Sequence, residues 1–177
     1  MMSVKLSIII TSYNRAKLLN KCIKSIYNNL NNNYQIVVVD DNSSDDTFRI
    51  CNFWKEKFNF FKYIKLKKNK GPSYCRNLGV KNCSGEYIVF SDSDDIFSTG
   101  AINILLKKLE SSKKDLLLFN YKVLGENNKV ISSTNLNKKD KNLNKIISKL
   151  TTSYTRWNIW SYVLKKKFIL KNKIFFQ

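Results

Sequence analysis

The sequence predicts an α/β fold, a doubly wound, mostly parallel sheet with helices on both faces. Short, β-branched and nearly continuous apolar runs at 4–10, 36–39, 61–66 and 87–90 have the pattern of strands buried on both faces. Amphipathic segments separate these runs, and that alternation calls for right-handed βαβ crossovers. Polar clusters follow the first, second and fourth runs, which places them on the edge where open α/β sheets bind ligands.

The elements follow in order. Residues 1–10 turn directly into a strand pattern, and no signal peptide is expected. Leu18, Leu19, Cys22, Ile23, Ile26, Tyr27 and Leu30 then recur at helical spacing, as do Phe48, Cys51, Trp54 and Phe58 after the second strand. Gly71 and Pro72 set the turn into a third helix, in which Gly79 allows close packing. A fourth helix covers 102–109, and 116–123 has the pattern of a further strand. Beyond Gly125 the chain turns polar, with a loop at 126–129 and a helix over about 142–150. Trp157, Ile159, Trp160, Tyr162, Val163 and Leu164 form an aromatic and aliphatic cluster, followed by three lysines and a last apolar segment. The length of 177 residues suits one domain, and no proline- or glycine-rich linker divides it.

Composition excludes several functions. The net charge is +19, yet only Arg15, Arg49, Arg76 and Arg156 among the basic residues are arginines. Base-reading and phosphate-forking proteins rely on arginine, so lysine scattered among asparagines argues against a nucleic-acid partner. A lysine-rich surface is compatible with peripheral contact with an anionic membrane. No segment has the length and apolarity of a membrane span, and a soluble, cytoplasmic protein is expected. Cys22, Cys51, Cys75 and Cys83 lack paired spacing and are expected as buried free thiols. The chain has no histidine, which excludes histidine triads and leaves carboxylates, lysine or tyrosine for proton transfer.

The densest chemistry lies in Ser91-Asp92-Ser93-Asp94-Asp95, three carboxylates in four positions directly after a strand. Carboxylates so crowded repel one another unless a cation lies among them, which points to a divalent metal and the phosphates it carries. Thr11-Ser12-Tyr13-Asn14-Arg15 follows the first strand and Asp40-Asp41-Asn42-Ser43-Ser44-Asp45-Asp46 the second, so three loops converge on one rim.

These blocks, with Asn69-Lys70-Gly71-Pro72-Ser73-Tyr74-Cys75-Arg76-Asn77-Leu78-Gly79, resemble in order and spacing the inverting family-2 glycosyltransferases of the GT-A fold. The resemblance covers roughly the first hundred residues, and it implies a nucleotide-sugar half at 1–100 and a partial acceptor-side half at 101–177. By the resemblance, Thr11 and Tyr13 line the base pocket, Asp41 accepts the uracil N–H, and Asp40 contributes to the base or ribose. Asp94 binds Mn²⁺ or Mg²⁺, Asp92 meets the ribose or metal-bound water, Ser93 joins the nucleotide site, and Arg76 faces the nucleotide or diphosphate. The partners implied are a UDP-sugar and a glycan or lipid-linked acceptor in surface polysaccharide or lipooligosaccharide synthesis. Structural roles compete at some of these positions: Ser43 or Ser44 as a cap, Asp45 and Asp46 in a first helical turn, Asp95 as a cap ahead of Ile102.

The family's base comes late, in a Glu-Asp pair beyond an aromatic acceptor-site segment resembled by 157–169. After Asp95 the acids are Glu110, Asp115, Glu126 and Asp140, and none stands in that motif. A C-terminally truncated glycosyltransferase, without its general base, is therefore expected. Binding of UDP and metal without transfer is the alternative outcome.

Overall fold

The computed structural model describes residues 4–27, 33–125, 127, 129–133 and 159–177. Four parallel strands form its centre: β1 (Leu6–Ser12), β2 (Tyr34–Asp40), β3 (Phe61–Lys65) and β4 (Tyr87–Asp92). Between them run the crossover helices α1 (Ala16–Ile26), α2 (Thr47–Lys57) and α3 (Gly71–Asn82), each where apolar periodicity or the Gly-Pro turn places it. After β4 come α4 (Ala101–Glu110), β5 (Leu116–Leu118), β6 (Lys122–Leu124), β7 (Val130–Ser133), a 3₁₀ turn (Ile159–Ser161), β8 (Tyr162–Lys165) and α5 (Lys166–Lys171).

The main sheet has the order β3-β2-β1-β4-β8-β5. β8 is antiparallel to both β4 and β5, so the sheet is mixed but mostly parallel. Alternation along each strand divides the core into two layers. Ile8, Ile10, Ile36 and Val38 pack under α1, α2 and α4, whereas Ile9, Val37, Val39, Ile88 and Phe90 pack under α3 and α5. Each such side chain, fully buried, contributes about 2 kcal/mol of transfer free energy. Gly79 lets α3 lie directly on β1, because a Cβ there would overlap Ile9 Cγ2. All four cysteines are buried free thiols. Among the described residues no helix is long and apolar enough to cross a membrane.

Two sequence expectations change. The single strand expected at 116–123 divides, because Leu116–Leu118 pairs with β8 while Lys122–Leu124 turns away to pair with β7 in a separate two-stranded sheet. Residues 162–165 of the aromatic segment enter the main sheet as β8, between β4 and β5. The helix expected at about 142–150, the loop residues Glu126 and Asn128, and Trp157 lie outside the described residues.

Candidate active site

β1 leads by α1 to β2 on one side, while β4 lies on its other side, so the winding reverses between β1 and β4. The crevice beyond the carboxyl ends of these strands is where open α/β sheets take ligands. The loops after β1 and β2 are stitched together there. Asn14 N–H donates to Ser43 Oγ (2.9 Å), and Asn14 Oδ1 accepts the Ser44 N–H (2.8 Å). Asn14 and Asn42 both adopt left-handed backbone (φ 51° and 69°), a conformation that asparagine tolerates better than most residues.

Asp45 starts two helices. Its carboxylate accepts the Ala16 N–H (2.8 Å) at the head of α1, and the N–H (3.1 Å) and hydroxyl (2.6 Å) of Thr47 at the head of α2. Burial opposes its ionisation, but the bonds from Thr47 and Ala16 outweigh that and hold it below the usual carboxylate range. Neither Ser43 nor Ser44 caps α2; its N-cap is Asp46, which makes no side-chain cap bond, and Asp45 just before it holds Thr47 instead.

Asp40 is wholly buried, its Oδ1 accepting the Ser43 N–H (2.8 Å) and its Oδ2 the Tyr63 hydroxyl (2.6 Å). Burial, and then its bond to Asp40, push the Tyr63 phenol up. Asp41, also buried, accepts the N–H groups of Lys70 (2.7 Å) and Gly71 (2.9 Å). It therefore lies on the positive end of α3, where Gly71 has φ 82° and Pro72 opens the helix. The Cys75 thiol also hydrogen-bonds this carboxylate, which leaves one of its lone pairs for a ligand.

At the end of β4, Arg76 donates to Asp92 (2.9 Å) and Arg15 donates to Asp94 (2.5 Å). Asp95 does not cap α4, whose N-cap is Gly100. Instead it accepts the Asp92 N–H (2.8 Å) and closes the 92–95 turn. Burial pushes its carboxyl up to about 6, a rise that the Asp92 N–H opposes and the charges of Asp92 and Asp94 reinforce. Ser93 is buried in that turn. Cys22 of α1 lies 3.5 Å from the Ser91 hydroxyl, and burial pushes its thiol up to about 12, so it remains a neutral packing group.

The residues singled out in the sequence thus meet on one rim. Thr11 pairs in register with Val39 and Asp92, and Tyr13 is half exposed just beyond it. Arg76 is not a surface arginine, since its side chain is mostly enclosed. Arg15 was not assigned a role from sequence, although its place between a strand-end Tyr-Asn pair and a helix was a signal. Glu110 and Asp115 flank residues 112 and 114, whose carbonyls accept the hydroxyl of Tyr87 at the start of β4. They lie at the opposite edge of the sheet, while Glu126 and Asp140 are outside the described residues.

The carboxylates suit a hard divalent cation. Asp92 and Asp94 are partly exposed, each balanced by a guanidinium, and Mg²⁺ or Mn²⁺ typically takes one or two carboxylates and completes its shell with phosphate and water. Among the described residues no group of three or more acidic or cysteine side chains could hold a metal unaided.

Comparison with known proteins gives the site its context. The Glycosyl transferase family 2 profile matches residues 7–173. The chain belongs to that family. A glycosyltransferase of Rickettsia conorii is 40% identical over 129 residues, 73% of this chain and 21% of that protein. The GalNAc(5)-diNAcBac-PP-undecaprenol beta-1,3-glucosyltransferase of Campylobacter jejuni is 39% identical over 105 residues, 59% of this chain and 34% of that protein. The crystal structure of S. aureus TarS in complex with UDP-GlcNAc superposes with a TM-score of 0.74 at 26% identity, covering 98% of this chain and 48% of that one. The family-2 chain thus has the α/β, Rossmann-like GT-A fold, and it spans half or less of the length of each of these relatives.

Proposed function

We propose that this family-2 chain binds a nucleotide-sugar, a UDP-sugar in the first instance, and serves its transfer to a glycan or lipid-linked acceptor. The observation that carries the reading is the convergence of Tyr13, Asp41, Arg76, Asp92 and Asp94 at the β1–β4 switch point, with their loops hydrogen-bonded to one another. The UDP-GlcNAc complex of TarS and the undecaprenol-linked acceptor in the Campylobacter enzyme's name support the two substrate classes.

In this reading Tyr13 lies against the uracil, Thr11 lines the same pocket, and Asp41 accepts the uracil N–H on a free lone pair. Asp40 acts one layer below, holding the 40–46 loop through Ser43 and Tyr63, so its contribution to the base or ribose is positional. Ser93 and Asp92 lie toward the ribose. Arg76 faces the diphosphate, and Arg15, joined to Asp94, adds a second cation at the same end. Asp94, with Asp92, would hold Mn²⁺ or Mg²⁺, which when bound neutralises charge on the departing nucleoside diphosphate. Direct, inverting displacement needs a carboxylate to take the acceptor proton, and Glu110 and Asp115 at the far edge cannot reach it. Residues 1–100 form the nucleotide-sugar half in this scheme, and 101–177 contribute to the acceptor side. The lysine-rich surface would favour contact with the cytoplasmic face of an anionic membrane.

The test is calorimetric titration of UDP with Mn²⁺, repeated with a chelator and with Asp94→Ala. Metal-dependent heat that the substitution abolishes is expected. No heat under any of these conditions would refute the reading.

A further inference from the structure

The end of the chain packs behind the nucleotide site. Lys173, after α5, takes left-handed backbone (φ 50°), and the Ile174 N–H returns to the Ile169 carbonyl (3.0 Å). This reversal at a helix end turns the chain back on itself. The next residues cross α3, where Asn77 grips the backbone of Phe176 in both directions. Asn77 Nδ2 donates to the Phe176 carbonyl (2.8 Å), and the Phe176 N–H donates to Asn77 Oδ1 (3.0 Å). The amide thus imitates one rung of a sheet ladder between residues 99 positions apart.

The clamp fixes an aromatic ring at a specific place. Phe176 packs at 79° to Phe90 of β4 (centroids 5.1 Å apart), and the Arg76 guanidinium lies over it, 5.7 Å from its centroid. That guanidinium is the one that reaches Asp92. An arginine held between a carboxylate and a ring face has fewer accessible arrangements than one with a partner on one side only. Phe90 lies two residues before Asp92, so the ring is buttressed by the same strand that supplies the carboxylate.

We propose that Phe176, held by Asn77, is a positioning residue for the nucleotide-sugar site, backing the Arg76 guanidinium and keeping it on Asp92 where the diphosphate binds. The inference rests on the reading of Arg76 as a diphosphate-facing residue. It means that the nucleotide site is not a property of the first half alone, because a segment from the opposite end of the chain completes it from behind.

The test uses the full 177-residue chain. Phe176→Leu keeps apolar bulk against Phe90 but removes the ring face, and it is expected to weaken UDP binding about tenfold, in line with loss of a partly desolvated cation–π contact. Phe176→Tyr is expected to restore binding, and Asn77→Ala, which leaves the ring chemistry intact, to weaken it similarly. The ¹H–¹⁵N heteronuclear NOE of the Arg76 Nε–H, recorded without nucleotide, is expected to fall in Phe176→Leu and Asn77→Ala and to recover in Phe176→Tyr. An unchanged NOE in Phe176→Leu would overturn the positioning role. Arg76→Ala separates the two claims: if it binds UDP like the unsubstituted chain, the diphosphate reading of Arg76 fails, while the NOE still judges whether Phe176 places the guanidinium.

Discussion

On the rim beyond β1, β2 and β4, the side chains proposed to form the site are engaged by neighbours: Asn14 by Ser44, Asp40 by Tyr63, Asp41 by Lys70 and Gly71, Asp92 by Arg76, Asp94 by Arg15. The β6–β7 hairpin is built the other way: Val123, Leu124, Val130 and Ile131 are all exposed, and among its described residues its own ladder and the Gly125 N–H bond to Lys129 join its strands. The contrast suggests a division of labour. A nucleotide presents the same groups every time, and a site whose side chains are already fixed loses little freedom on binding it. The hairpin, part of the half proposed to meet the acceptor, carries no such lattice of bonds among its described residues.

The largest effect is expected where the lattice is buried. Asp41→Ala leaves the N–H groups of Lys70 and Gly71 without their acceptor at the head of α3, at a cost of about 3 kcal/mol. Urea unfolding should record that loss, and UDP should give no measurable heat. Full stability in the variant would mean that the rim is not held together as described. Gly79→Ala comes next. Its new methyl group overlaps Ile9 Cγ2 on β1, so α3 must shift or Ile9 must repack, costing about 2 kcal/mol and visible as a lower melting temperature.

Gly79 was legible in the sequence as a packing residue, because a glycine within an expected helix suits close approach to a neighbour. The four parallel strands and the shared rim were legible for a similar reason, since buried runs and the polar residues that follow them are local patterns. Partnerships between distant positions were not. Nothing near Tyr162–Lys165 indicates that it pairs antiparallel between β4 and β5, and nothing near 119–121 indicates that the chain there leaves one sheet for another. The site divides in the same way. Asp41, Asp92 and Asp94 stand in recognisable blocks, whereas the bonds from Tyr63 to Asp40 and from Arg15 to Asp94 join residues 23 and 79 positions apart and leave no local trace.

A third test acts through pH. Asp45 titrates below its ordinary value in the folded chain because its bonds to Thr47 and Ala16 favour the ionised form over the penalty of burial. A folded value below the unfolded one gives stability that is present above about pH 4 and disappears as the pH falls through the lowered value. Asp45→Asn keeps one oxygen for Thr47 but turns an NH₂ toward the Ala16 N–H, so it should cost about 1 kcal/mol at neutral pH, the usual worth of one hydrogen bond, and less at pH 3. Thermal melts of both proteins at the two pH values check this. A difference that stays constant between them would mean that the carboxylate's charge plays no part in holding the loops.

The smallest effect belongs to the hairpin and sharpens the comparison most directly. Ile131 is 70% exposed, so Ile131→Ser removes little buried apolar surface and should change stability by less than about 0.5 kcal/mol. UDP affinity should not change either, because among the described residues no hydrogen bond joins the hairpin to the rim. If the side chain contributes to acceptor recognition, the substitution would weaken acceptor binding while leaving nucleotide binding untouched, and titration of the acceptor into the UDP-loaded chain would show it. A fall in UDP affinity would instead show that the two regions are energetically coupled, and the division of labour between a fixed nucleotide rim and an open hairpin would have to be abandoned.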